Sequence, residues 1–243
     1  MSIQEQIERA RVQLLFHYPF WGYLATRLEM KEDATCPTMG TDGRYIYYNP
    51  KFVETLNSGM LLGVLAHECG HNAFGHLFRQ QGREKMKWNI ATDMALNYVL
   101  KEEYFVLPSD CLISREELSA EAIYANLKDG AFGKLLDKLL DDHSKWQYKE
   151  SEGNGKEDKG DLEENWKGYV AQAAQYAKGM GKLPGHLSKL INDVLDPEVD
   201  WRELLRDYIV SFVQNDYRMA PPNRKYLSLP MYLPSLYGES IEV

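Results

Sequence analysis

The sequence has few cysteines, no excess of positive charge and no long hydrophobic run. Its three cysteines in 243 residues are an odd number and form no CxxC pair, so the sequence indicates neither a disulfide framework nor a cysteine-rich zinc ribbon. With 28 basic and 36 acidic residues the net charge is −8. This charge, together with the lack of a long Lys/Arg run, argues against nucleic acid and anionic membranes as main partners, because both bind clustered positive charge. The longest apolar run, residues 60–66, is too short to cross a bilayer, so we expect a cytoplasmic protein without membrane contact.

The apolar residues that are present, 44% of the chain, follow mostly helical patterns. Apolar side chains recur at helical spacing over residues 3–16, and residues 59–81 are typical of one long apolar helix with Ser58 as its N-cap. The segment Arg44–Tyr48 is rich in strand-forming residues and follows a Thr-Asp-Gly turn. A further apolar helix is predicted over residues 88–100, and helical patterns recur over residues 132–142, 165–178, 185–195 and 201–213. We therefore expect an α+β fold that is mainly helical.

The clearest sign of chemistry is a cluster of histidines, since three of the six lie within ten residues. His67, Glu68 and His71 form an HExxH motif on the predicted helix. Four residues rotate the chain by about 400°, so both imidazoles lie on one face and can bind one ion. Neutral imidazoles suit Zn²⁺, and a third protein ligand would leave one position for a water whose pKa falls to about 7. Glu68 could then act as the general base.

A candidate for the third ligand lies on the next predicted helix. Asn89, Asp93 and Asn97 recur every four residues among apolar neighbours and make one polar stripe. If this stripe faces the HExxH helix, Asp93 can supply a carboxylate, and Asn89 and Asn97 can hold the ligands in orientation as second-shell groups. The alternative is that the stripe faces solvent.

His76 is the alternative third ligand. It lies five residues after His71, and this spacing rotates it by about 500°, away from the two histidines in a regular helix. His76 could join the site only if the helix breaks near Gly75. The helix geometry therefore favours Asp93 over His76 and leaves both open.

Three segments of the chain resemble a known family: TDGRYIYYNPKFV, LAHECGHNAFGHLFR and WNIATDMALNYVL. They are similar to a bacterial and phage family of metallopeptidase domains that usually precede a von Willebrand factor A-like (VWA-like) domain. The resemblance implies a zincin-like fold, with a small sheet flanking the HExxH helix and Arg44–Tyr48 as an edge strand that pairs with an extended substrate. It implies a site of His67, Glu68 and His71, with Asp93 matching the family's recurrent aspartate.

The resemblance also implies a domain organisation. We expect one metallopeptidase domain over residues 1–243, with a catalytic core over about residues 1–110 and a helical remainder over residues 111–243. Residues 149–164 have ten charged side chains in sixteen and predict a mobile acidic loop. The DxSxS motif of a VWA-like domain does not occur in this sequence, so we expect that domain to be absent. The chain would then be either a truncated or a naturally short form.

Two functions follow from these observations. The first is a zinc-dependent metallopeptidase that hydrolyses peptide or protein substrates with Glu68 as the base. The alternative is a zinc-containing interaction module without catalysis. By resemblance, such a module would work with a MoxR-type AAA ATPase or a VWA-like domain.

Overall fold

The N-terminal helices α1 (Ile3–His17) and α2 (Pro19–Ala25) pack directly on each other. The computed structural model describes residues 2–109, 111–127 and 159–195, and the backbone of 217–218 and 235–236. Helix α1 begins with a capping box between Ser2 and Glu5. A Cβ at Gly22 would lie 2.2 Å from the Cα of Leu15, so this close crossing requires glycine. The predicted helix over residues 3–16 is confirmed.

A three-stranded sheet follows, formed by β1 (Glu29–Glu32), β2 (Met39–Thr41) and β3 (Tyr45–Tyr48). The strand order is β1-β3-β2, with β1 parallel and β2 antiparallel to β3. The strand predicted at Arg44–Tyr48 therefore exists, but its assignment as an edge strand is wrong. Both of its sides are already paired, by two short strands that carry little strand-forming signal of their own.

Beyond the sheet come α3 (Pro50–Thr55), α4 (Ser58–Ala73) and α5 (His76–Arg79). The single long helix predicted over residues 59–81 is wrong, because the chain turns between α4 and α5. Gly75 adopts a left-handed conformation with φ of 65°, which glycine tolerates without a Cβ clash. The N-cap of α4 is Asn57 rather than Ser58, since the Asn57 side chain accepts a hydrogen bond from the Met60 amide.

The remaining helices that the structure describes are α6 (Lys85–Glu102), α7 (Ala120–Asn126), α8 (Lys159–Gly179) and α9 (Gly185–Leu195). Residues 159–164 of the predicted acidic loop are helical instead, while residues 149–158 lie outside the described residues. The reason is apolar packing: Leu162, Trp166 and Val170 are buried at four-residue spacing on one face of α8. Helix α9 has the bounds that its sequence predicts.

The core of this unit, Met1–Asp196, lies between α1, α2, α4 and α8. Large side chains from these helices are fully buried in it, including Trp21, Leu65 and Trp166. A second unit, Pro197–Val243, has two described strands, β4 (Tyr217–Arg218) and β5 (Ser235–Leu236), which pair antiparallel. The helices predicted at 132–142 and 201–213 lie outside the described residues. Among the helices that the structure describes, none has the length and apolar character needed to span a membrane.

Candidate metal centre

Helix α4 carries the two histidines of the HExxH motif on one buried face. Their Nε2 atoms lie 2.9 Å apart, and both side chains are 0% exposed. The four-residue spacing and the regular helix between them produce this arrangement, since each imidazole extends from the same side of α4. The two ring nitrogens that meet are therefore available to one shared cation.

Helix α6 brings Asp93 to the same place. The Oδ1 atom of Asp93 lies 3.5 Å from Nε2 of His71 and 3.8 Å from Nε2 of His67, and the carboxylate is fully buried. The polar stripe therefore faces α4 at this position rather than solvent. Within the described residues, His67, His71 and Asp93 are the group whose ligand atoms could hold a metal ion.

The spacing of these three atoms fits a small divalent cation. A tetrahedral Zn²⁺ with bonds of 2.0–2.1 Å separates its ligand atoms by about 3.3 Å. The observed separations of 2.9, 3.5 and 3.8 Å lie on both sides of that value. A buried carboxylate beside two imidazoles also needs compensating positive charge, which such a cation supplies.

The close approach of α6 to α4 depends on Gly70, inside the motif. A Cβ on this residue would lie 2.4 Å from Cδ1 of Leu96, and Leu96 lies one turn after Asp93 on α6. Because the two helices meet where residue 70 has no side chain, the Asp93 carboxylate reaches the histidines. The HExxH motif therefore provides two of the three candidate ligands, His67 and His71. Through Gly70 it also leaves room for the third, Asp93.

Asn97 fixes the protonation of His67. Nδ1 of His67 lies 2.9 Å from Oδ1 of Asn97, while Nδ2 of Asn97 donates to the backbone oxygen of Leu112 at 2.8 Å. That second bond assigns the amide orientation, so Oδ1 must accept and His67 must carry its proton on Nδ1. The lone pair of His67 is then on Nε2, facing Asp93. Asn97 thus contacts the ring nitrogen of His67 opposite the one that faces Asp93.

Asn89, the other residue predicted for this role, is also buried. Its side-chain oxygen accepts no hydrogen bond from any residue that the structure describes. The orienting role of Asn89 therefore stays a prediction.

His76 lies beside the three-residue group but not within it. The break at Gly75 turns α5 back, and Nδ1 of His76 lies 3.1 Å from Nδ1 of His71. This contact is to the ring nitrogen of His71 opposite the one that faces Asp93. The helix does break at Gly75, as an approach of His76 to the site requires. The break places His76 against Nδ1 of His71 rather than beside Asp93.

Glu68 is fully buried next to His67 on α4. Its backbone oxygen accepts a hydrogen bond from Nδ2 of Asn72, which also donates to Oγ1 of Thr41 in β2. Sequence reasoning missed Asn72, although an asparagine directly after the motif, four residues from Glu68, was a usable signal. This amide joins the helix that carries the motif to the sheet.

The thiol within the motif has no metal-ligand role in this arrangement. Cys69 is completely buried, and burial raises the pKa of its thiol far above the ordinary value. The side chain therefore stays a neutral thiol at physiological pH. It packs in the hydrophobic core with Leu65 and Ala73.

A family model described as "Putative metallopeptidase domain" matches residues 2–237 of the chain. No curated protein and no solved structure matches it. The zincin-like form of the fold therefore stays a prediction, whereas a mainly helical fold with a small three-stranded sheet is what the described residues form.

Proposed function

The chain belongs to this family of putative metallopeptidase domains, and from that premise we propose that it is a zinc-dependent peptidase. His67, His71 and Asp93 are the metal ligands in this proposal, and Glu68 is the general base. The observation that carries it is the convergence of three ligand atoms, from two helices, within 4.8 Å of one another in a fully buried place.

The residues around the ligands support the same assignment. Asn97 keeps the Nε2 lone pair of His67 directed inward, which is the role that second-shell groups play in zinc sites. Zinc in such a site supplies a Lewis acid that polarises a carbonyl and lowers the pKa of water. Glu68 accepts the proton of the attacking water on its carboxylate and returns it to the leaving amine. The substrate class is a peptide or protein.

One observation favours the second candidate, a zinc-containing interaction module without catalysis. His67, Glu68, His71 and Asp93 are each 0% exposed, so a peptide carbonyl can reach them only after a neighbouring segment moves. A metal that a substrate does not reach would support the structure of the domain rather than catalysis. A MoxR-type AAA ATPase and a VWA-like domain remain predicted partners, on the resemblance alone.

Metal content and peptide hydrolysis together test the proposal. Glu68→Gln should keep one zinc per chain, measured by elemental analysis, and lose about 10²–10⁴-fold in turnover of a peptide library followed by mass spectrometry. His71→Ala should lose both. Glu54→Gln, an exposed glutamate on α3, is the matched control and should retain both.

The two candidates give different results in this experiment. A wild-type protein that holds zinc and cleaves no peptide supports the interaction module. Full activity in Glu68→Gln would refute the role of Glu68, and full zinc content in His71→Ala would refute the metal centre.

A further inference from the structure

The imidazole of His71 has polar contacts at both of its ring nitrogens. Nε2 faces His67 and Asp93, and Nδ1 lies 3.1 Å from Nδ1 of His76. Resting on the proposed function, we infer that His76 is a positioning residue. Its Nδ1 accepts the Nδ1–H of His71 and so directs the Nε2 lone pair of His71 toward the metal.

With a metal bound to the Nε2 atoms of His67 and His71, the direction of this hydrogen bond follows from proton counting. A bond between two imidazole nitrogens needs one donor and one acceptor. A metal-binding Nε2 carries no proton, so a neutral His71 has its proton on Nδ1. Nδ1 of His76 is therefore the acceptor, and the single proton of a neutral His76 is on Nε2.

The fold holds His76 in place for this contact. If α4 continued as a regular helix, the side chain of residue 76 would lie about 140° around the axis from His71. The left-handed Gly75 ends that helix, and the indole N–H of Trp88 donates to the backbone oxygen of His76 at 3.0 Å. Across the same break, the Arg79 guanidinium donates to the backbone oxygen of Phe74 at 2.9 Å.

The burial of His76 makes the contact costly to lose. The residue is 3% exposed, and its ring packs edge-on against both His71 and Trp88. Without the imidazole of His76, the buried Nδ1–H of His71 would lose the acceptor that lies 3.1 Å away, and losing a buried hydrogen bond is costly. The imidazole could then rotate away from the orientation that suits the metal.

Two substitutions at position 76 separate positioning from packing. His76→Leu removes the acceptor and keeps an apolar side chain, whereas His76→Asn can place its Oδ1 close to the position of Nδ1. We expect the zinc dissociation constant, measured by competition with a chromophoric chelator, to rise about 10–100-fold in His76→Leu. His76→Asn should restore it to within about threefold of wild type. His17→Leu, at an exposed histidine, should bind zinc as wild type does.

Each other result has a definite meaning. Wild-type affinity in a folded His76→Leu, or equally weak binding in His76→Asn, would overturn the inference. Histidine-ring ¹⁵N NMR of the zinc-loaded wild type tests it without any variant, because a proton on Nδ1 of His76 would also overturn it. His71→Ala with unchanged zinc affinity would instead refute the proposed metal centre. Loss of zinc in His71→Ala without loss in His76→Leu would refute only the role of His76.

Discussion

The contact of α4 with α6 at Gly70 sets how close Asp93 comes to the histidines. In Gly70→Ala the new Cβ would lie 2.4 Å from Cδ1 and 2.9 Å from Cδ2 of Leu96. Nonbonded carbon atoms lie about 3.5–4.0 Å apart, so roughly 1.1 Å of displacement is needed. Leu96 is itself buried, which leaves a rotated leucine or a shifted α6 as the means of relief. Overpacking of this kind costs about 1–3 kcal/mol.

Two measurements follow from this displacement. At about 2–4 °C per kcal/mol for a chain of this size, the Tm of Gly70→Ala should fall by about 2–12 °C. Zinc binding should also weaken, because His71 adjoins Gly70 and metal–ligand distances tolerate only about 0.2 Å. The control is Gly168→Ala on α8, where an added Cβ meets nothing within 4 Å. An unobstructed helical alanine should stabilise by about 0.5–1 kcal/mol, so the two variants should differ in sign.

A double variant tests the cause. Leu96→Ala alone should cost about 2–5 kcal/mol, since it empties a core position. The double variant Gly70→Ala/Leu96→Ala should lose clearly less stability than the sum of the two single losses. The reason is that the Leu96 side chain, which clashes with the new Cβ at position 70, is gone. If Gly70→Ala is as stable as Gly168→Ala and binds zinc like wild type, the reasoning about this helix contact is wrong.

Three further predictions concern other buried polar contacts. Asn97→Leu removes the acceptor of the His67 proton, so zinc affinity should fall about 10–100-fold in a chelator competition. An unchanged affinity would contradict the orienting role. Burial raises the pKa of Glu103 and the neighbouring His186 partly lowers it, so the folded state keeps this carboxyl proton to higher pH than the unfolded state does. The free energy of unfolding should therefore decline as pH rises from the ordinary carboxyl pKa of about 4.3 toward the raised value. Urea titrations should show this decline reduced in Glu103→Gln, and identical pH profiles would count against the assignment. Trp166→Phe removes the indole donor that lies 2.8 Å from the Gly43 oxygen, so thermal denaturation should show a loss of about 1–3 kcal/mol. Equal stability would mean that the contact contributes nothing.

The local elements were largely predictable. The helix over residues 3–16, the strand at Arg44–Tyr48 and the helix at Gly185–Leu195 all occur where their patterns place them. Helical and strand periodicity is a short-range property, because it reports which face of one element is buried. The helical structure of residues 159–164 was not predicted, because this segment is mostly charged and contains one apolar side chain, Leu162, which is buried in the structure.

Strand position and helix breaks were less predictable. The sequence of β3 could not indicate that two short strands would cover both its sides, because pairing depends on residues elsewhere in the chain. Gly75 was visible as a glycine in an apolar helix. An isolated glycine is tolerated within a helix, so its left-handed conformation follows from the contacts around it.

The sequence by itself determined which side chains converge from each helix. A four-residue spacing places His67 with His71, and the same spacing makes one stripe of Asn89, Asp93 and Asn97, because 3.6 residues complete a helical turn. Only the tertiary structure decided that this stripe faces α4, that His76 contacts the far nitrogen of His71, and that all these groups are buried. These outcomes depend on how closely two helices pack and on where one ends. Such distances arise from contacts between residues far apart in the chain.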